Sequence, residues 1–222
     1  MRPYQSHRRF IGLEGCDGAG KTTLRQRIAK DLSTRTSRML EIGQHSWIDP
    51  DAARIILNVR EQRRTYDPAI IEDAYRRDKW LHEVTNVRPI LDDGIVLADR
   101  TIISDAVYQE ALYGIDAAAT IHRYLEDGFL FPGTLIYVFV DIKTAVDRIA
   151  KRGKHRRHYE RAVDLRRIRD IYLRILPMCE ALIGLRVVHF ENLSGELEAR
   201  YQSIIEPELT DIIGSLQQLE VV

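Results

Sequence analysis

The chain has 222 residues, 45% hydrophobic and 30% charged, a balance that suits one globular domain and sets aside disordered and fibrous classes. Lysine plus arginine equals aspartate plus glutamate at 33 each, so no net field draws the chain to nucleic acid or to a membrane surface. No apolar run reaches bilayer length, no apolar leader follows the basic MRPYQSHRR, and Cys16 and Cys179 fit no disulfide or zinc spacing; the expectation is a single cytoplasmic domain over 1–222 with reduced thiols.

RFIGLEG (9–15) is a short apolar run ending in glycine, and KTTLRQRIAKDL sets Leu24, Ile28 and Leu32 at helical spacing. Strand, glycine loop and helix follow in that order. RMLEIG (38–43) reads as a second strand. Asp49-Pro50 and Asp67-Pro68 each join an N-cap acid to a proline at the first helical position, so two helices start there. In the second, Trp80, Val84, Val87 and Leu91 form an apolar stripe, while Tyr75, Lys79 and His82 fall on another face. GIVLADR (94–100), TLIYVFVD (134–141) and LRVVHF (185–190) are near-continuous apolar runs, the pattern of strands covered on both sides. Helical stretches separate them all. The expected class is therefore α/β, a five-stranded parallel sheet with helices on both faces and right-handed crossovers, without internal repeats or linkers.

Gly15, Gly18, Gly20, Lys21 and Thr22 spell G-x-x-x-x-G-K-T between the first strand and its helix. Glycines there let successive N–H groups converge on one concave spot, and the helix adds its unpaired N–H groups and dipole. A phosphate fits such a spot. Gly15, Asp17, Gly18, Ala19, Gly20, Lys21, Thr22 and Thr23 form the expected ATP-binding set, with Lys21 reaching the terminal phosphates and Thr22 placed to ligate Mg²⁺. Asp99, at the end of a buried strand beside that loop, is the second expected metal-side residue, orienting the ion through water.

FIGLEGCDGAGKTT (10–23), VRPILDDGIVLADRTIISDAVYQ (87–109) and VFVDIKTAVDRIAKRG (138–153) together resemble the thymidylate kinase family, with its E-G-x-D-G-A-G-K-T-T loop and its D-R-Y-x-x-S-x-x-A-Y-Q segment. The resemblance implies a P-loop kinase fold, transfer of the γ-phosphate of ATP to a deoxynucleoside monophosphate, most of all thymidylate, Mg²⁺ with the ATP, and a homodimer. It also implies roles. Asp17 meets the acceptor sugar's 3′-hydroxyl, Arg100 binds the acceptor phosphate, Tyr75 stacks on the base and Tyr108 crowds the 2′ position. Ser104, Asp105 and Gln109 complete the acceptor set with Lys79. Arg148 and Arg152 lead into a lid at about 148–160, and with Lys21, Asp99 and Arg100 they make the expected catalytic set.

The acceptor side departs from the family pattern. Lys79 stands where the family has arginine, Asp105 where a neutral residue is common, and LEIGQHS where the family has R-E-P-G-G-T. A kinase for a modified pyrimidine monophosphate, a deoxynucleoside kinase and a non-catalytic nucleotide-binding regulator are the alternatives. A switch GTPase is disfavoured, because no N-K-x-D motif occurs around Asn58, Asn86 or Asn192.

Overall fold

Five strands form one fully parallel sheet in the order β2-β3-β1-β4-β5. The structure, a computed structural model, describes residues 6–153 and 156–217. The strands are β1 (Ser6–Glu14), β2 (Met39–Ile42), β3 (Ile95–Asp99), β4 (Phe131–Phe139) and β5 (Arg186–Glu191). Side chains alternate across a strand, and the two faces of β3 show what covers each. Ile95 and Leu97 join the large core, whereas Val96 and Ala98 join a smaller core with Phe10, Ile42, Val87 and Leu91. Both faces are buried, which explains why these strands read as continuous apolar runs. β1 and β4 each begin three residues before the apolar runs suggested, and Asp141, expected inside β4, instead caps the next helix through Thr144 N at 2.9 Å.

The helices flanking the site are α1 (Lys21–Arg35), α2 (Pro50–Arg60), α3 (Pro68–His82), α4 (Arg88–Leu91), α5 (Ile102–Tyr113), α6 (Ala117–Glu126), α7 (Ile142–Lys151) and α8 (Ala162–Ile183). Both expected Asp-Pro starts are present: Asp49 accepts from Asp51 N and Ala52 N at 2.9 and 3.0 Å, and Asp67 accepts from Ala69 N at 2.9 Å.

The apolar stripe expected on the second of these helices is not one face. Trp80 is 46% exposed, while Tyr75, Lys79 and His82 are buried. A π turn over Glu83–Val87, where Arg88 N bonds to Glu83 O, inserts an extra residue between α3 and α4. Pro89 lies just beyond it and cannot donate to the regular helical ladder. The extra residue rotates Val87 and Leu91 onto the buried side and leaves Trp80 outside. The polar face of α3 is thereby turned inward, beside the carboxyl ends of β1 and β3, which pair in register at Leu13 and Asp99. In open parallel sheets this is where ligands bind.

Candidate active site

Glycine geometry shapes the phosphate loop. Gly15, Gly18 and Gly20 have φ of 135°, 81° and 93°. A Cβ at Gly15 would strike the Val138 carbonyl, and one at Gly18 would strike the Ala145 carbonyl, so the loop lies wedged between the end of β4 and α7. Gly20 caps α1 without a side-chain bond, leaving the first-turn N–H groups to an anion, with Thr22 and Thr23 exposed beside them. Lys21 Nζ donates to Gly15 O at 2.9 Å and to Cys16 O at 3.0 Å. Ala19 O accepts from Asn192 Nδ2 at 2.8 Å and from Arg148 at 3.3 Å, which ties the loop to the segment after β5. Arg148 thus braces the donor loop. Cys16 and Cys179 are both free thiols, and both are buried.

Arg100 reaches the same loop from the β3–α5 turn. Its φ of 75° is left-handed, which costs a side-chain-bearing residue roughly 1–3 kcal/mol and persists only where surroundings fix it. They do. Its guanidinium donates to Gly15 O at 3.0 Å, Asp17 Oδ1 at 2.8 Å, Tyr108 OH at 2.9 Å and Ser104 Oγ at 3.2 Å, and lies 4.7 Å from the Tyr108 ring centroid. Lys21 and Arg100 therefore meet on one carbonyl oxygen. Burial works to raise the Asp17 carboxyl, but Arg100, Lys21 and Arg157 outweigh it and bring the group down to about 2. Asp17 Oδ2 is buried without a hydrogen-bond partner among the described residues. Burial also depresses Lys21, and Arg100 adds to this, while Asp17 and Asp99 oppose it.

Beneath Arg100 lies a residue the motif contained but whose role its spacing did not disclose. Glu14 is fully buried and accepts from Thr101 N and Thr101 Oγ1 at 2.7 Å, from Tyr172 OH at 2.8 Å, and from Ser104 Oγ. It fastens the start of α5, and hence Arg100, to β1 and α8. Tyr172 sits far along the chain in α8 and carries no local signal of this role.

On the lid, Arg152 donates to both carboxylate oxygens of the buried Glu160, at 2.5 and 2.7 Å. That contact holds the lid together rather than reaching the loop. Arg157 is the lid arginine felt at Asp17, and it donates to Tyr159 OH at 2.8 Å. Lys154 and His155 of the lid segment lie outside the described residues.

The acceptor side is assembled from three separate elements. Tyr75 and Lys79 come from α3, and Ser104, Asp105, Tyr108 and Gln109 from α5, all buried. The β2–α2 segment supplies Gln44 and His45. Lys79 Nζ donates to Gln44 O and stands 3.3 Å from Asp105 Oδ2, while Gln44 Nε2 donates to Asp105 Oδ1 at 2.7 Å. Burial pushes Asp105 up to about 7, against the pull of Lys79 and Gln44. Asp78, on the same face as Lys79, accepts from Ser46 Oγ at 2.7 Å, Trp47 N at 3.0 Å and His45 Nδ1 at 3.0 Å. Burial disfavours the ionised Asp78, but His45, Lys79 and Ser46 outweigh that and take it down to about 2. Burial likewise depresses His45 to about 4, so its neutral ring donates from Nδ1 and keeps a lone pair on Nε2. His82 Nε2 holds Gly43 O at 3.0 Å. The LEIGQHS segment, which lacks the family's arginine, is instead strapped to α3 by Asp78, Lys79 and His82.

A parallel sheet with a glycine loop after its central strand, a lysine opening the next helix and a strand-terminal Asp-Arg defines the P-loop kinase class. The thymidylate kinase family model matches residues 13–183. A thymidylate kinase from Leuconostoc mesenteroides is 31% identical over 178 residues, covering 75% of this chain and 81% of the relative. One from Enterococcus faecalis is 31% identical over 216 residues, covering 89% and 95%. The crystal structure of thymidylate kinase from Ehrlichia chaffeensis shares the fold with a TM-score of 0.64 at 19% identity, covering 91% of this chain and 98% of that one. The chain belongs to the thymidylate kinase family.

Proposed function

We propose that this protein transfers the γ-phosphate of ATP to the phosphate of a deoxynucleoside monophosphate, converting thymidylate to its diphosphate. One observation carries the reading beyond family membership: Lys21, a donor-side cation, and Arg100, an acceptor-side cation, converge on Gly15 O at 2.9 and 3.0 Å. Two phosphates held by these groups are brought end to end. An acceptor phosphate oxygen then attacks the γ-phosphorus, the bond to the β,γ-bridging oxygen breaks, and ADP leaves with that oxygen. Such transfer needs positioning and charge rather than a covalent intermediate. The loop N–H groups and Lys21 hold the donor phosphates, Arg100 orients the acceptor phosphate, and the free Oδ2 of Asp17 takes the sugar hydroxyl.

Among the described residues no group of three or more His, Cys, Asp or Glu forms a metal cage. The exposed Thr22 hydroxyl and the half-buried Asp99 carboxylate suit an oxygen-liganded ion that arrives with the nucleotide. Held there by Thr22 and Asp99 with ATP, Mg²⁺ would neutralise charge on the donor phosphates. Ile48, Leu57, Ile70 and Trp80, all on or beside α2 and α3, are large exposed hydrophobics, and they support a homodimer through that face. Among the described residues no helix is long and apolar enough to cross a membrane. A kinase that draws on ATP and nucleoside monophosphates works where those pools are, in the cytoplasm.

ADP formation with ATP and Mg²⁺ tests the reading. Release should rise at least 100-fold over the water rate when thymidylate is added. No rise with any deoxynucleoside monophosphate would remove it.

A further inference from the structure

The acceptor wall carries two buried acceptor atoms with unfilled capacity among the described residues: His45 Nε2 has no hydrogen-bond partner, and Asp105 Oδ2 has only the Lys79 ammonium, 3.3 Å away. Both are acceptors when Asp105 is ionised. Asp78 holds the proton of His45 on Nδ1, which leaves Nε2 a lone pair, and Lys79 stands beside Asp105 as a cation. The His45 ring lies 5.5 Å from that of Tyr75, the aromatic assigned to stack on the base. The two amide atoms of Gln109, Nε2 and Oε1, are also buried and unpartnered among the described residues, so this amide can serve as donor or acceptor.

We propose that this site takes a second acceptor class, a cytosine-type deoxynucleoside monophosphate, whose base carries an exocyclic amino group beside a ring acceptor nitrogen. The proposal rests on the reading of the protein as a monophosphate kinase. Cytosine presents an N4 amine with two N–H donors next to the N3 lone pair. Asp105 and His45 accept the two N–H groups, and the Lys79 ammonium, donor only, answers N3. The protein already displays this pairing: Gln44 Nε2, a planar amide NH₂, donates to Asp105 Oδ1 at 2.7 Å. The base amine meets the other carboxylate oxygen, Oδ2, with Gln44 left in place on Oδ1. Thymine carries an oxygen at the same ring position, which would set a lone pair against the carboxylate and the imidazole. Shifted so that N3–H meets Asp105 and O4 meets Lys79, thymine fits, but it leaves His45 Nε2 without a donor.

Steady-state kcat/KM for deoxycytidylate and thymidylate at saturating MgATP is the direct test. The expected value for deoxycytidylate is at least one tenth of that for thymidylate, and a smaller one overturns the proposal. His45→Phe and Asp105→Ser should each lower the deoxycytidylate-to-thymidylate ratio at least tenfold; a smaller change in both shows that these groups do not read the amine. A calorimetric comparison on the unaltered protein avoids any folding defect. The 2-pyrimidinone deoxyribonucleoside monophosphate, in which hydrogen replaces the amino group, should bind at least tenfold more weakly than deoxycytidylate, and a lesser difference overturns the proposal. If no monophosphate accelerates ADP release, the kinase reading fails while the binding comparison still decides the base preference.

Discussion

The phosphate loop is held in shape chiefly by its own backbone, with glycines at positive φ, carbonyls turned toward Lys21 and N–H groups left at the start of α1. The acceptor wall is held by side chains, with Gln44 and His45 fastened to Asp105, Asp78 and Lys79 across separations of 33 to 61 residues. A backbone device depends on a few contiguous residue types and tolerates little change. A side-chain device can be rebuilt one partner at a time, which is why the departures from the family pattern gather on the acceptor side.

The largest expected effect lies in the loop. Lys21→Ala removes the buried ammonium that bridges Gly15 O and Cys16 O. Removing one such preorganised charge should lower kcat by about 10³-fold, roughly 4 kcal/mol. The melting temperature should change little, because the loop keeps its glycine geometry. Rapid-quench turnover with thermal unfolding alongside checks both halves, and a loss confined to stability would remove Lys21 from the donor site.

Acidification probes the acceptor wall next. Folded His45 titrates at about 4 against 6.5 when unfolded, so its stabilising contribution is complete above pH 6.5 and is lost as pH falls through 4. Asp105 runs the other way. Its folded value of about 7 lies above 3.8, so its contribution is complete below 3.8 and is lost as pH rises through 7. They amount to on the order of 3 kcal/mol for His45 and about 4 kcal/mol for Asp105, and between pH 6.5 and 4 they oppose each other. Asp105→Asn should make denaturant stability fall more steeply with acid than in the unaltered protein, and His45→Gln should make it fall less. Parallel profiles for all three would show that the wall does not titrate as a unit.

Legibility in the sequence follows the same division. The five strands, the glycine loop and both Asp-Pro helix starts are local patterns, and all were readable within one to three residues. Trp80 was misplaced because the π turn at 83–87 breaks the 3.6-residue period on which a stripe is counted. Lys79 and Asp105 could be picked out individually, but not the pairing that makes Gln44 their shared partner. Asn192 bonds Ala19 O across 173 residues, a contact with no local signature.

The lid separates rate from stability. Arg157, whose charge is felt at Asp17, should lower kcat by about 10²-fold when replaced by alanine, a milder loss than the 10³–10⁵ of an arginine that fully caps the transferred phosphate. Arg152→Ala instead strips the charged partner from the buried Glu160, leaving it the Arg157 N–H, and should appear mainly as a lower melting temperature. Single-turnover rates for the two variants distinguish them, and a larger rate loss for Arg152→Ala would reverse the assignment.

The smallest effect tests the joint between the two regions. Glu14 receives four donors, from Thr101 N, Thr101 Oγ1, Ser104 Oγ and Tyr172 OH. Glu14→Gln keeps the shape but turns one oxygen into an NH₂ facing donors, so one or two of these bonds are lost at about 1–2 kcal/mol of stability. The loosened group is the start of α5, which carries Arg100, while Lys21 keeps its own bonds to Gly15 O and Cys16 O. KM for the acceptor should therefore rise by about threefold to tenfold with KM for ATP unchanged, since roughly 1 kcal/mol of misplacement is felt on one substrate only. Equal shifts in both constants would show that Glu14 supports the whole sheet edge, and that donor and acceptor regions are a single mechanical unit.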